Sequence, residues 1–562
     1  MIKGKEFIYR LAEIMAARGI RHVVVSPGSR NAPVVIIFSR TGKLRLVSVA
    51  DERSAGFFAL GMAQQLQQPV ALICTSGSAA INYGPAISEA YYQKVPLLVI
   101  TADRPVAWID QGDGQTIRQN NLFANYIRKS YQLPDATADR ESRWHFDRMV
   151  NEAIDHTWFP APGPVHLNLP LSEPLYDLDE APDVTGLRIM EVARTVALPD
   201  ATLLEKLSGL WNASVKKMIL AGQMAPGKEH DDLLRKVADD PSVVVLTETT
   251  SNLRGNGYIG CIDRVIEGWS AADTAFAPDI LVTLGGAVIS KKIKGLLRGM
   301  RPAHHWHINP DASEFHLDTY QSLTLTIPAE PSRFFREFKM RTVSVESNYR
   351  ALWAERDKQR RVQHAEFMKQ SGYSDIQVYE ILFSHVPEGS HIHLGNSTPV
   401  RYAQLFDHDG RHRFWSNRGT SGIDGSVSTA VGAAWVTGDP VTVISGDIGF
   451  FYDSNALWNH NLSPRLRIVV INNGGGNIFR VLPGPDRYGE LETFLETAHS
   501  LRTKGIAETF GVTYFRAGNA EELRDVLPEF YKESGSPALL EIVTPARESA
   551  AAIRNYFKYM IQ

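Results

Sequence analysis

Two short polar segments carry residues that could do chemistry together. Gly446-Asp447 follows the apolar run VTVIS, and Asn472-Asn473 follows RIVVI and leads into Gly474, Gly475 and Gly476. A carboxylate and an amide oxygen are hard donors suited to Mg²⁺ or a similar divalent cation. The glycines would let a phosphate approach backbone N–H groups closely. Asp447 and Asn473 lie 26 residues apart, which leaves room for a crossover helix between neighbouring parallel strands. Both are expected at the carboxyl edge of one sheet, as a metal clamp on a diphosphate. A turn aspartate beside an Asn-Gly loop is the competing reading.

A further carboxyl group stands far upstream. Leu44–Ala50 reads as a strand, and Asp51-Glu52-Arg53 then opens the helix SAGFFALGMA. Glu52 lies among apolar neighbours, which favours sharing its proton with a partner. The alternative is that Asp51 caps the helix and Glu52 merely favours its positive end. After the next strand comes Thr75-Ser76-Gly77-Ser78-Ala79, where Gly77 permits close approach. A strand-to-helix turn with a Ser cap explains that loop equally well.

The elements that must position these groups alternate throughout. Strands are expected at Val23–Val25, Val70–Cys74, Leu97–Thr101 and Val165–Leu169, then at Met218–Ala221, Val243–Thr247, Ile280–Leu284 and His304–Ile308. A third set lies at His391–Leu394, Val441–Ile444, Ile468–Ile471 and Leu539–Val543. Fully apolar runs without alternation suit parallel sheets covered on both faces. Interleaved helical patterns give an α/β class with three doubly wound parallel-sheet domains. Residues 176–200, acidic and with two prolines, read as a linker. A second boundary falls near 330–370, where ERDKQRRVQHAEFMKQ reads as a solvated helix face. The domains are expected at 1–180, 190–345 and 350–562.

Composition excludes several classes. The chain has 562 residues, with 44% hydrophobic and 22% charged, so it is neither disordered nor collagen-like. Lys+Arg is 59 against Asp+Glu 62, and nothing favours nucleic acid or an anionic membrane over a local anion site. Cys74 and Cys261 have no CxxC or Cys/His partner, which argues against zinc and fits a reducing compartment. Glu6, Arg10 and Glu13 interrupt the N-terminus where a signal peptide needs an apolar core. Phe7, Leu11, Ile14 and Met15 instead fall at helical spacing. No apolar run reaches the roughly 18 residues of a membrane span. A soluble cytoplasmic protein is the expectation.

The motifs SPGSRNAP (26–33), DERSAGFFALG (51–61), TADRP (101–105), QTIRQ (115–119), GPVHLNLP (163–170) and SNRGTSGIDG (416–425) occur in that order before the Gly-Asp…Asn-Asn segment. Together they resemble the 2-succinyl-5-enolpyruvyl-6-hydroxy-3-cyclohexene-1-carboxylate synthases, a thiamine-diphosphate-dependent family of menaquinone biosynthesis. SPGSR and SNRGTSGIDG are the most specific. The general thiamine-diphosphate signature has a third Gly where Ile448 stands. In this family that position is commonly not Gly.

The resemblance implies decarboxylation of 2-oxoglutarate and addition of the succinyl unit to isochorismate. It implies thiamine diphosphate with Mg²⁺ or Mn²⁺ held by Asp447, Asn473 and the carbonyl of Gly475. Glu52 would drive the pyrimidine to its imino form, Ser76 and Gly77 would approach it, and Ile423 would wedge beneath the cofactor. Gly446 and Ile478 would complete the cofactor contacts. Both substrates are dicarboxylates, so the resemblance assigns Arg30, Arg104, Lys291, Lys292, Arg401 and Arg418 to them. Ser29, Gln115, Ser397 and Phe479 would line the same cavity. Arginine suits carboxylates because its fork pairs bidentately. Lys292 departs from the Arg of many relatives, and Gly114 stands where relatives can carry Asn.

The first domain would bind the pyrimidine and the third the diphosphate and metal. The resemblance sets the site across subunits in a homodimer or dimer of dimers. An acetolactate-type enzyme acting on pyruvate is the alternative, although it needs fewer cations. A non-catalytic scaffold is another, against which Glu52, Asp447 and Asn473 stand. Solvated arginines, core packing for Ile423 and a satisfied core role for His166 remain the plain readings of single residues.

Overall fold

The computed structural model describes residues 5–562 apart from 136–138, 179–181, 183, 185, 194, 196, 254–256, 312–315, 483, 485 and 486, with backbone alone at 228–230. The apolar runs form three six-stranded sheets. The first holds β1 (His22–Val25), β2 (Arg45–Ser48), β3 (Val70–Cys74), β4 (Leu97–Asp103), β5 (Ser130–Gln132) and β6 (Pro164–Pro170). The second holds β7 (Lys217–Ala221), β8 (Val243–Thr247), β9 (Tyr258–Ile259), β10 (Ile280–Leu284), β11 (His304–Ile308) and β12 (Leu325–Ile327). The third holds β13 (His391–Leu394), β14 (Arg413–Trp415), β15 (Val441–Gly446), β16 (Leu466–Asn472), β17 (Thr513–Ala517) and β18 (Ala538–Val543). Every strand pair is parallel.

The orders are β2-β1-β3-β4-β6-β5, β12-β11-β10-β7-β8-β9 and β14-β13-β15-β16-β18-β17. The first and third sheets therefore share one topology. The central sheet follows the other doubly wound order, with its first and fourth strands adjacent. Interior strands coincide with the apolar runs or extend them by a residue or two. The five strands that the runs did not reveal (β5, β9, β12, β14 and β17) are all sheet edges. Edge strands are short and carry polar groups, as in Ser-Tyr-Gln at β5 and Arg-Phe-Trp at β14.

The duplicated sheets meet through equivalent helices, Glu52–Leu66 and Ser426–Val436. Each joins the second and third strand of its own sheet. A Cβ at Gly61 would stand 1.9 Å from the carbonyl oxygen of Thr429, and one at Gly432 would stand 2.0 Å from that of Phe58. The two contacts mirror each other across a local two-fold. One apolar cluster runs through this crossing, from Val24 and Leu72 to Val443 and Val470.

A polar clamp reinforces the crossing. Glu89, buried on the helix Gly84–Gln93, reaches the loop that follows β14. Its Oε1 accepts from Gly419 N at 2.6 Å, and its Oε2 accepts from Thr420 N and Oγ1 at 2.7 and 2.6 Å. Gln93 Nε2 donates to Ser416 O at 3.0 Å.

The described residues of the linker 176–200 contain no helix or strand, and its residues 179–181, 183, 185, 194 and 196 lie outside the description. The stretch is nonetheless tied down. Asn151 donates to Arg188 O at 3.0 Å and accepts from Met190 N at 3.1 Å. The charged run lies on the helix Tyr349–Gln370. Most of the run is exposed, and its inner side is buried. Asp357 and Arg360 are buried, and Arg360 donates to Glu267 O at 2.8 Å.

Gly432→Ala would drive a methyl group into the Phe58 carbonyl, which no rotamer relieves. Overpacking of this kind costs about 1–3 kcal/mol. Calorimetry should show both end domains melting earlier together, whereas a shift in one transition alone would contradict the shared core. Glu89→Ala should raise amide exchange at Gly419 and Thr420 about tenfold, because unpaired buried groups cost about 1–3 kcal/mol. Exchange at Val431 should stay unchanged.

Candidate active site

Strand order collects the polar residues. In open α/β sheets, ligands bind beyond the carboxyl ends of the strands. In the third sheet, Ser397 and Arg401 follow β13, Arg418 and Ile423 follow β14, Gly446 ends β15 with Asp447 after it, and Asn473 to Phe479 follow β16. These four strands are neighbours. Gly446 pairs with Ile471, so Asp447 and Asn473 leave the same sheet edge side by side.

Asp447 is buried at the start of the helix Asp447–Tyr452. Its Oδ1 accepts from Ile448 N at 2.7 Å, and its Oδ2 accepts from Gly474 N and Gly475 N at 2.8 and 3.0 Å. Burial pushes its carboxyl up, against those donors and His499. The ring of His499 accepts at Nδ1 from Leu501 N at 3.1 Å, which leaves Nε2 to face Asp447 Oδ2 at 3.5 Å.

Asn473 Nδ2 donates to Asp375 Oδ2 at 3.1 Å, while Asn473 Oδ1 is buried without a partner. A Cβ at Gly446 would meet nothing within 4 Å, so there is open space beside the pair. An orphaned amide oxygen, an adjacent carboxylate and open space fit a hard divalent cation. The glycine amides do not form the phosphate cradle expected of them. Gly474 and Gly475 donate to Asp447, and Gly476 N donates to Glu496 O at 2.6 Å. Gly475, at φ +154°, is instead required because a Cβ would stand 2.8 Å from Glu496 O.

Ile423 is 40% exposed, so core packing does not explain it. It follows Ser421, at φ +62°, in the loop that Glu89 clamps. Ile478 and Phe479 begin the short helix Ile478–Val481 and are half-buried.

The first sheet gathers a second group. Glu52 opens its helix half-buried, with Asp51 accepting from Arg53 N and Ser54 N at 2.8 and 3.2 Å. Ser76 and Gly77 are buried. Gly77, at φ +86°, donates its N–H to Gln119 Oε1 at 2.9 Å. Gln119 is fully buried and also donates to Ala102 O and Asn168 Oδ1 at 3.2 and 3.0 Å. A Cβ at Gly77 would lie 3.3 Å from the backbone of Gln115, which is itself exposed at φ +55°. Ser29 is exposed, and Arg30 is buried, donating to Leu171 O at 2.9 Å and pairing with Glu173 at 3.1 Å. Arg104 pairs with Asp113 at 3.3 Å. His166 is a neutral core residue, 2.8 Å from Thr101 Oγ1, and burial lowers it to about 3.

Cations converge between the second and third sheets. The Nε atoms of Arg401 and Arg418 are buried without partners, and Arg418 Nη1 donates to Asn396 Oδ1 at 2.7 Å. Burial and the charge of Arg401 lower Arg418. Lys294 lies within electrostatic reach of both arginines and of Glu248. Burial pushes Glu248 up to about 7, although it accepts from Ile289 N and Ser290 N at 2.6 and 2.7 Å. Lys292 points elsewhere. It pairs with Glu267 and sits over the Phe557 ring, 3.2 Å from its centroid. Lys291 is exposed, and Ser397, at φ +72°, precedes the helix Thr398–Ala403.

Among the described residues, no hydrogen bond or ion pair joins Glu52, Ser76 or Gly77 to Asp447, Asn473 or Gly475. The neighbours of Glu52 dock instead on the far end of the Asp447 helix. Arg53 lies over the Tyr452 ring at 4.6 Å, and Asn455 donates to Asp51 at 2.7 Å. Sequence reasoning missed Glu89, Lys294, Asp375 and His499, which stand outside the quoted motifs. Gln119 could have been found as the last residue of QTIRQ.

Three family models match the chain. They are "Thiamine pyrophosphate enzyme, N-terminal TPP binding domain" over 7–122, "Middle domain of thiamine pyrophosphate" over 205–394 and "Thiamine pyrophosphate enzyme, C-terminal TPP binding domain" over 395–542. The chain is 43% identical over 566 residues to the 2-succinyl-5-enolpyruvyl-6-hydroxy-3-cyclohexene-1-carboxylate synthase of Christiangramia forsetii, covering 97% of each. It is 41% identical over 555 residues to that of Flavobacterium johnsoniae, covering 98% of each. It is 37% identical over 572 residues to that of Bacteroides thetaiotaomicron, covering 100% of each. With its three parallel sheets and this end-to-end similarity, the chain belongs to the 2-succinyl-5-enolpyruvyl-6-hydroxy-3-cyclohexene-1-carboxylate synthase family of thiamine pyrophosphate enzymes.

Proposed function

We propose that the chain decarboxylates 2-oxoglutarate and transfers the succinyl unit to isochorismate, using thiamine diphosphate and Mg²⁺ or Mn²⁺. The carrying observation is the buried, unpartnered Asn473 Oδ1 beside Asp447 at one sheet edge. When bound, thiamine diphosphate supplies the nucleophilic carbon and the electron sink for loss of carbon dioxide.

The chain's own groups do the rest. Asp447, Asn473 and the Gly475 carbonyl would hold the metal. Glu52 would hold and return a proton at the pyrimidine nitrogen, with Ser76 and Gly77 lining that ring's place. Ile423, Gly446 and Ile478 would border the cofactor, with Ile423 as an apolar support. Arg30, Arg104, Arg401 and Arg418 bind the substrate carboxylates, with Ser29, Gln115, Ser397 and Phe479 around them. Lys291 would join them in binding substrate, and Lys292 would reach substrate only by leaving Glu267. Guanidinium groups with unpartnered buried Nε atoms support this reading, because a carboxylate would satisfy them.

The pyrimidine falls to the domain 1–180 and the metal and diphosphate to 350–562, with 190–345 between. The docking of the Glu52 neighbours away from Asp447 supports a site completed by a second copy, in a homodimer or dimer of dimers. Two buried free thiols suit the cytoplasm. Among the described residues, no helix is long and apolar enough to cross a membrane.

Glu52→Gln should keep the fold and thiamine diphosphate binding while kcat falls by about 10²–10⁴, the usual worth of a positioned acid–base group. Full turnover in that variant would remove Glu52 from the chemistry. Turnover of 2-oxoglutarate with isochorismate should far exceed turnover of pyruvate, and the reverse would point to an acetolactate-type enzyme. Mixing Glu52→Gln with Asp447→Asn protein should restore activity. No recovery after verified subunit exchange would place both groups in one chain's site.

A further inference from the structure

We propose that Asp375 is a positioning residue for the metal site, holding the Asn473 amide so that its oxygen faces Asp447. The proposal rests on the reading of Asp447 and Asn473 as cation ligands. Asn473 and Asp375 are far apart in sequence, and Asp375 belongs to none of the motifs around the site. It opens the helix Asp375–Phe383 and is almost wholly buried.

An amide has nearly the same shape in either orientation, so its partners decide which end points where. Asn473 presents its NH₂ to Asp375, with Nδ2 donating to Asp375 Oδ2 at 3.1 Å. Its oxygen is then turned the other way, and that is the atom left buried without a partner. Reversed, the amide would set oxygen against carboxylate and offer N–H donors to a cation.

Asp375 is itself held in place by donors from the neighbouring strand end and helix. Its Oδ1 accepts from Thr544 Oγ1 at 2.6 Å and from Ser549 Oγ at 3.1 Å. Its place in the first helical turn favours negative charge. Burial pushes its carboxyl up, and the side chains of Thr544, Asn473, Ser549 and Asn477 oppose that. Thr544 also donates its backbone N–H to Asn472 O at 3.1 Å. The carboxylate thus sits inside the same strand-end framework that carries the ligand.

Mn²⁺ binding in the presence of thiamine diphosphate, read by the electron paramagnetic resonance signal of the free ion, tests this on the full chain. Asp375→Ala and Asp375→Ser should weaken Mn²⁺ about 10–100-fold, the usual effect of losing an outer-shell partner. Their kcat should recover at saturating Mn²⁺, which a merely structural defect would not do. Asp375→Asn, which keeps an acceptor carbonyl, should fall between them and the unaltered protein. Unchanged Mn²⁺ affinity in Asp375→Ala and Asp375→Ser, with affinity lost in Asp447→Ala, would overturn the proposal and leave the metal reading standing. A kcat loss that saturating Mn²⁺ does not restore would also overturn it. Unchanged affinity in Asp447→Ala would overturn the metal reading and the proposal with it.

Discussion

The backbone crossing of two helices at Gly61 and Gly432 sets the geometry on which everything else depends. Each glycine lets its helix lie against a carbonyl of the other, at a distance that a single methyl group would forbid. Helices this close act as one rigid piece, because packed interiors resist small displacements. One of them begins at Glu52, and the other begins just after the loop carrying Arg418 and Ile423. The crossing thereby fixes two functional loops relative to one another, and Glu89 fastens the second from the side.

The chain uses one topology twice and gives the copies different work. In the first sheet, the loops beyond β1, β3 and β4 carry polar groups steadied by the buried Gln119 network. In the third, the loops beyond β13, β14, β15 and β16 carry the paired arginines and the Asp447 and Asn473 edge. The central sheet, wound in the other order, contributes Lys294 and Glu248 to the boundary where the arginines converge. Buried carboxyl groups such as Glu89, Glu248 and Asp375 all accept from at least two donors, as buried polar groups require.

Much of this was readable from the sequence because it is written in local periodicity. Interior strands are unbroken apolar runs, and the loops after them hold the quoted motifs. Edge strands escaped because they are short and half polar, so their pairing comes from the neighbouring strand rather than from their own residues. Lys292 and Lys294 illustrate the same limit. Helical phase decides which lysine meets the arginines, and the partner that draws Lys292 away, Glu267, is set by tertiary packing. Asp375 and His499 reach the site only through the fold. The role expected of the three glycine amides failed for a related reason, since Asp447 and Glu496 are acceptors that spacing alone does not place beside them.

The shared apolar cluster joins residues near the two ends of the polypeptide. Such long-range closure is slow, because chain entropy is lost before the distant contacts form. During synthesis the amino-terminal sheet emerges with its glycine-notched helix facing water and the carboxylate of Glu89 without Gly419 and Thr420. Either terminal unit cut out alone would expose the apolar face that it buries against the other. The face of the first sheet that meets the crossing is completed only after the carboxy-terminal sheet has been made.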